Sequence, residues 1–88
     1  EGRWNAEARM LQAQLAFEKN DFDTAARQFM TIALLYDDKT ITPRALLKAR
    51  EAFQRANNPV DADKALRELI KRYPDSNPQT KISAQKPS

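Results

Sequence analysis

When the chain is laid on itself with a shift of 37 residues, its two halves agree at the positions that shape a helical hairpin. Ala8 meets Ala45, Met10 meets Leu47, Asn20 meets Asn57 and Ala25 meets Ala62. Phe29 then meets Leu66, Ile32 meets Leu69, and Tyr36 meets Tyr73. Apolar positions fall on apolar positions and turns on turns. This duplication constrains the fold strongly, because each unit has to pack against another copy of itself.

The units read as helices. Trp4, Ala8, Leu11 and Leu15 recur at spacings of four, three and four, which predicts one buried face on a helix over residues 4–19. Met10, Ala13 and Phe17 form a second apolar line beside it. Asn20 and Asp21 interrupt, and Asp21 is suited to cap the next helix. Phe22, Ala25, Ala26, Phe29, Ile32, Ala33 and Tyr36 give that second helix, broken by Asp37-Asp38-Lys39-Thr40. Thr42 is expected to cap a third helix, with Pro43 at its first position, where a missing N–H costs nothing. Ala45, Leu46, Ala49, Ala52, Phe53 and Ala56 supply its apolar face. Asn58 and Pro59 open a fourth helix carrying Ala62, Ala65, Leu66, Leu69, Ile70 and Tyr73, and Pro74 stops it. The expectation is an all-α chain of two antiparallel helical hairpins over about 4–37 and 42–74. Residues 75–88 are polar and aperiodic, and are expected to form a flexible tail.

Composition narrows the chemistry. The 88 residues leave room for one domain. With neither Cys nor His, disulfides, thiolate metal sites and the commonest general base are excluded. Asp21-x-Asp23 lacks the Gly and distal Glu of a calcium loop and reads as helix capping. Asp37-Asp38 lie next to each other in a loop, where carboxylates are solvated rather than paired for catalysis. With no phosphate-binding loop and no nucleophile–base set, the chain is read as non-catalytic and cofactor-free, with no metal site. No apolar run reaches the length of a membrane span. The chain begins with Glu1 rather than Met, so it reads as a trimmed or processed piece whose targeting segment is not visible.

The repeated stretches resemble the tetratricopeptide repeat. Residues 16–29, A-F-E-K-N-D-F-D-T-A-A-R-Q-F, are similar to that family's turn and second-helix start, with Asn20 where the family usually has Gly. Tyr73-Pro74 resembles its closing proline, whereas Asp37 stands at the corresponding place in the first repeat. The ending R-Y-P-D-S over residues 72–76 is similar to repeats of bacterial cell-envelope proteins of the Tol–Pal coordinator and outer-membrane assembly lipoprotein type. The resemblance implies a non-catalytic protein-interaction scaffold located in the periplasm or cell envelope, with the cytoplasm as the alternative that the absence of Cys leaves open. It also implies a peptide groove lined by the first helix of each hairpin. The matching positions are Met10, Leu11, Gln14, Phe17 and Glu18, together with Leu47, Lys48, Glu51, Gln54 and Arg55. Met10, Phe17 and Leu47 are expected to lie beyond the core. Met10 and Lys48 occupy the places where the chaperone-binding branch has a basic residue and an Asn, so recognition of a free C-terminus is not implied.

Two faces bear on partners. Ala26, Met30 and Leu34 form an apolar stripe on the second helix, and the fourth helix has Asp63, Arg67 and Lys71 at the same places. This predicts a solvated outer face on helix four, as a terminal repeat requires. It also predicts an N-terminal side that meets further repeats, a partner or a second copy through helix one. The alternative is a basic module contacting nucleic acid. Residues 1–38 carry four basic and seven acidic side chains, and residues 39–88 carry eleven and five. Arg44, Lys48 and Arg55 share one side of helix three, with Lys64, Lys71 and Arg72 on helix four. Glu51, Asp61, Asp63 and Glu68 interrupt that basic surface, so i, i+4 ion pairs on a solvated helix are the preferred reading.

Overall fold

The structure, a computed structural model, describes residues 2–76. Four helices succeed one another: α1 (Gly2–Glu18), α2 (Phe22–Leu35), α3 (Thr42–Arg55) and α4 (Pro59–Arg72). A 3-10 turn over Pro74–Ser76 closes the described chain. The fold is all-α, as the periodicity predicts, with no strand among the described residues. Each helix packs on the next, so α2 and α3 have helical neighbours on two sides while α1 and α4 have one each. Most of the expected tail, residues 77–88, lies outside the described residues.

Both hairpins turn in the same way. Asn20 and Asn57 take left-handed backbone angles, φ 65° and 64°, a region that Asn enters more readily than other residues with a Cβ. The Asn20 N–H donates to the Phe17 carbonyl at 3.0 Å and the Asp21 N–H to the Ala16 carbonyl at 2.9 Å. In the second hairpin the Asn57 N–H donates to Gln54 at 3.2 Å and the Asn58 N–H to Phe53 at 2.8 Å. This Schellman pairing satisfies carbonyls that the helix end leaves open. The next helix starts at once: Asp21 Oδ1 accepts from the Thr24 N–H at 3.4 Å, and Asn58 Oδ1 from the Asp61 N–H at 3.3 Å.

The start of α3 differs from expectation. Thr42 is the first residue of the helix rather than its cap, and no side chain caps at the flanking Ile41. Asp38 instead shapes the turn before the helix: its Oδ1 accepts from the N–H groups of Thr40 (2.7 Å) and Ile41 (3.1 Å). Thr42 is fully buried. Its hydroxyl donates to the Tyr36 carbonyl at 2.8 Å and accepts from the Asp38 N–H at 3.0 Å, stitching the inter-repeat loop shut.

The interior is built largely from alanine. Ala25, Ala26, Ala33, Ala45, Ala49 and Ala52 are completely buried, with Phe29, Ile32, Ile41, Leu46 and Leu69 as the large side chains among them. This distribution corrects the expected face of α1. Ala6, Met10 and Ala13 are buried, whereas Ala8 is exposed and Leu11 and Leu15 are 67% and 55% exposed. The Trp4 side chain lies outside the described residues. The physical reason appears on shifting by one repeat. Ala45, Ala49 and Ala52 are buried because α3 is flanked on both sides, and their counterparts Ala8, Gln12 and Leu15 are exposed because α1 is flanked on one. On α2, Ala26 is buried and Met30 half-buried, but Leu34 is 72% exposed, so that stripe is covered only in part. Their counterparts Asp63, Arg67 and Lys71 are all exposed, giving α4 the solvated face that the sequence predicts. Ile70, placed on the apolar face of the fourth helix, is exposed as well.

A clasp locks the two hairpins together. Arg72, on α4, donates from Nη1 to the Ala33 carbonyl at 2.9 Å and from Nη2 to the Tyr36 carbonyl at 3.5 Å and Asp37 Oδ1 at 3.4 Å. A cation therefore sits on the C-terminal end of α2, where open carbonyls and the helix dipole favour positive charge. The Tyr73 hydroxyl donates to the same Asp37 oxygen. That bond, helped by Arg72, holds the Asp37 carboxyl below its ordinary pKa against the opposing effect of desolvation. Burial and the same bond raise the pKa of the Tyr73 phenol.

Candidate functional site

The face shared by α1 and α3 carries a well with a volume of about 430 Å³. Met10, Leu11 and Leu47 give it apolar sides, Phe29 of α2 forms part of its lining, and Glu7, Gln14, Arg44 and Lys48 complete it. The well exists because α1 and α3 each pack tightly on α2 while making few contacts with each other. Leu11 is the most exposed apolar residue around it.

Towards the C-terminal ends of α1 and α3 the cleft is bridged. Lys48 Nζ lies 4.3 Å from the centroid of the Phe17 ring, and the Arg55 guanidinium carbon lies 5.3 Å from it. Arg55 also stands 5.6 Å from the Phe22 ring, and Phe17 and Phe22 meet edge to face at 5.1 Å. Cations over aromatic faces gain electrostatic attraction while their alkyl stems cover apolar surface. Glu51 pairs with both cations, Lys48 at 3.6 Å and Arg55 at 3.4 Å. On α1 the amide of Gln14 donates to Glu18 Oε2 at 3.3 Å.

The structure brings most of the expected groove residues together. Met10, Gln14, Leu47 and Lys48 line the well, and Phe17, Lys48, Glu51 and Arg55 form the bridge beside it. Met10 is not beyond the core as expected: it is 8% exposed and belongs to the interior, and it reaches the well only with its remaining surface. Phe17 and Leu47 are half-buried against the core. Gln54 is exposed and takes no part in the well or the bridge. The expectations also left out three residues of the well: Phe29 of α2, and Glu7 and Arg44, which the 37-residue shift pairs directly.

The remaining charged residues behave as surface groups. Asp63–Arg67 and Asp23–Arg27 are exposed i, i+4 pairs at 2.7 and 2.9 Å, whereas Glu68 lies 3.8 Å from the partly buried Arg72 of the clasp. Among the described residues there is no cluster of three or more acidic side chains able to hold a metal ion. No described helix is long and apolar enough to cross a membrane.

Neither a curated protein nor a solved structure matches the chain. A family model does: residues 44–76 match the tetratricopeptide repeat. The matched segment covers nearly all of α3, the turn at Asn57, all of α4 and the closing 3-10 turn. The first hairpin has the same turn chemistry one repeat earlier. With four helices in two like hairpins, this is an all-α helical-repeat fragment whose second hairpin carries the tetratricopeptide pattern, a repeat that generally mediates protein–protein interaction.

Proposed function

We propose that this chain is a non-catalytic protein-interaction scaffold that receives a segment of a partner protein on the face between α1 and α3. The observation that carries this reading is the apolar well itself, open beside an uncovered Leu11 and flanked by polar side chains. The chain is organised as two repeats, over about 4–37 and 42–74, and a tail from residue 75. Its α4 face is finished with charge, whereas α1 exposes Ala8 and Leu15, the counterparts of residues that α3 buries. That asymmetry supports a place at the C-terminal part of a longer array, with a further helix seated on α1. The resemblance of residues 72–76 to bacterial envelope repeats supports a setting in the cell envelope.

The test is site-specific photo-cross-linking in the intact parent protein. A cross-linking residue at position 47 is expected to capture a partner, and one at position 67 on the outer face of α4 is not. The Leu11→Asp and Leu47→Asp variants should reduce capture with helicity unchanged. Equal capture at both positions would remove the groove from the proposal.

A further inference from the structure

The two walls of the cleft are homologous rows of opposite charge. On α1 the row is Glu7, Leu11, Gln14 and Glu18, at spacings of four, three and four. These positions share one side of a helix. Shifted by 37 residues, the same row on α3 is Arg44, Lys48, Glu51 and Arg55. The rows are alike in construction: Gln14 bonds Glu18 on one wall, and Glu51 bonds Arg55 at the same places on the other. They are inverted in charge at both ends, Glu7 against Arg44 and Glu18 against Arg55. One wall has two carboxylates and no cation, and the other has three cations against one carboxylate. Among the described residues Glu7, Glu18 and Arg44 enter no ion pair.

The rows also run side by side in the same direction. Glu7 and Arg44 line the same well, and further along the cleft Arg55 reaches Phe17. Each row spans twelve residues, about 16 Å along the helix axis. A strand crossing the walls would meet one residue of each row, whereas a segment lying along the cleft meets all of them. Charges arranged lengthwise therefore suit a ligand that runs lengthwise, with its own side chains on a helical repeat.

Resting on the reading of this face as a partner groove, we infer that the partner segment is an amphipathic helix with segregated charge. Its apolar stripe sets a large side chain in the well beside Met10, Leu11 and Leu47. One edge of it carries carboxylates towards Arg44 and Arg55, and the other carries basic side chains towards Glu7 and Glu18. Complementary potentials of this kind fix partner choice and orientation more than they add affinity. Arg55 and Lys48 are already drawn towards the Phe17 ring and share a single carboxylate, so an incoming carboxylate meets an excess of cation.

Three synthetic helical peptides with one common leucine stripe test this. The first has Glu along one edge and Lys along the other, the second has Glu on both edges, and the third has Lys on both. Each is titrated into the full isotope-labelled chain while backbone amide resonances are monitored. The segregated peptide is expected to bind at least about fivefold tighter than either uniform one, with shifts at Leu11 and Leu47, and to lose that preference at about 0.5 M salt. Arg44→Glu with Arg55→Glu makes both walls acidic and should move the preference to the Lys peptide. Circular dichroism of that variant confirms that the fold is retained. Equal binding of all three peptides would overturn the charge reading and leave the groove standing. Shifts confined to Ala8 and Leu15, or none with any peptide, would take the groove reading down with it. A concentration-dependent dimer that covers Leu11 and Leu47 would replace the outside helix with a second copy and overturn the inference.

Discussion

Arg72 donates to the carbonyl of Ala33 across the junction of the two hairpins, a 2.9 Å bond between residues 39 positions apart. Long-range hydrogen bonds of this kind are few in a stack in which each helix touches mainly its sequence neighbours. Replacing Arg72 by Ala leaves the last carbonyls of α2 without this donor and should cost about 1–2 kcal/mol. Arg72→Lys keeps the charge but not the fork, and should recover less than half of the loss. Urea unfolding, read as a lower midpoint at unchanged slope, checks both.

The same clasp predicts pH dependence on two sides. The Asp37 pKa is lowered on folding, so its contribution is complete above the ordinary carboxylate range and is lost as pH falls through the lowered value. The Tyr73 pKa is raised on folding, so its contribution is complete below about 10 and is lost as pH rises through the raised value. In Asp37→Asn the acid-side loss should shrink, and the alkaline loss should become smaller and end nearer the ordinary tyrosine value. Thermal unfolding across pH, compared with the unaltered chain, reads both changes.

Neighbouring residues on α1 should respond in opposite ways. Met10→Asp places a charge in the interior and should destabilise by more than about 3 kcal/mol, or abolish folding. Leu11→Asp changes an exposed side chain and should stay within about 0.5 kcal/mol. Circular dichroism melts of the pair decide whether α1 presents to α2 the face seen in the structure.

The two left-handed turns give a further check on stability. Asn20→Ala and Asn57→Ala should each cost about 1 kcal/mol, since alanine enters this backbone region at a steric penalty. The Gly variants at the same positions should be neutral or slightly stabilising. If both Ala variants melted like the unaltered chain, the turn geometry at φ 65° and 64° would be wrong.

Four helices, both hairpin turns and the caps at Asp21 and Asn58 were legible in the sequence because the signals are local and occur twice. The face of α1 was not, since that helix has apolar residues on several sides. Leu11 and Leu15 are large and regularly spaced, yet Ala6, Met10 and Ala13 supply the burial instead. Side-chain size misleads wherever the contact is made between small residues. The clasp could not be read either, because R-Y-P-D at residues 72–75 does not announce that its Arg bonds a helix end 39 residues upstream. Within the site, the groove residues came from the resemblance, while Glu7 and Arg44 emerge from comparing the repeats with each other.

The alanine seam also governs where the two hairpins are free to differ. Ala25, Ala33, Ala45 and Ala49 have no exposed surface, so a larger side chain there has to push two helices apart, at about 1–3 kcal/mol or more. The rows at 7, 11, 14 and 18 and at 44, 48, 51 and 55 carry no such restriction, and there one hairpin is acidic where the other is basic. A duplicated unit is rewritten most freely where its side chains meet no neighbouring helix. In this chain the buried alanines of α2 and α3 hold the two hairpins together, while the open edge is where their charges diverge.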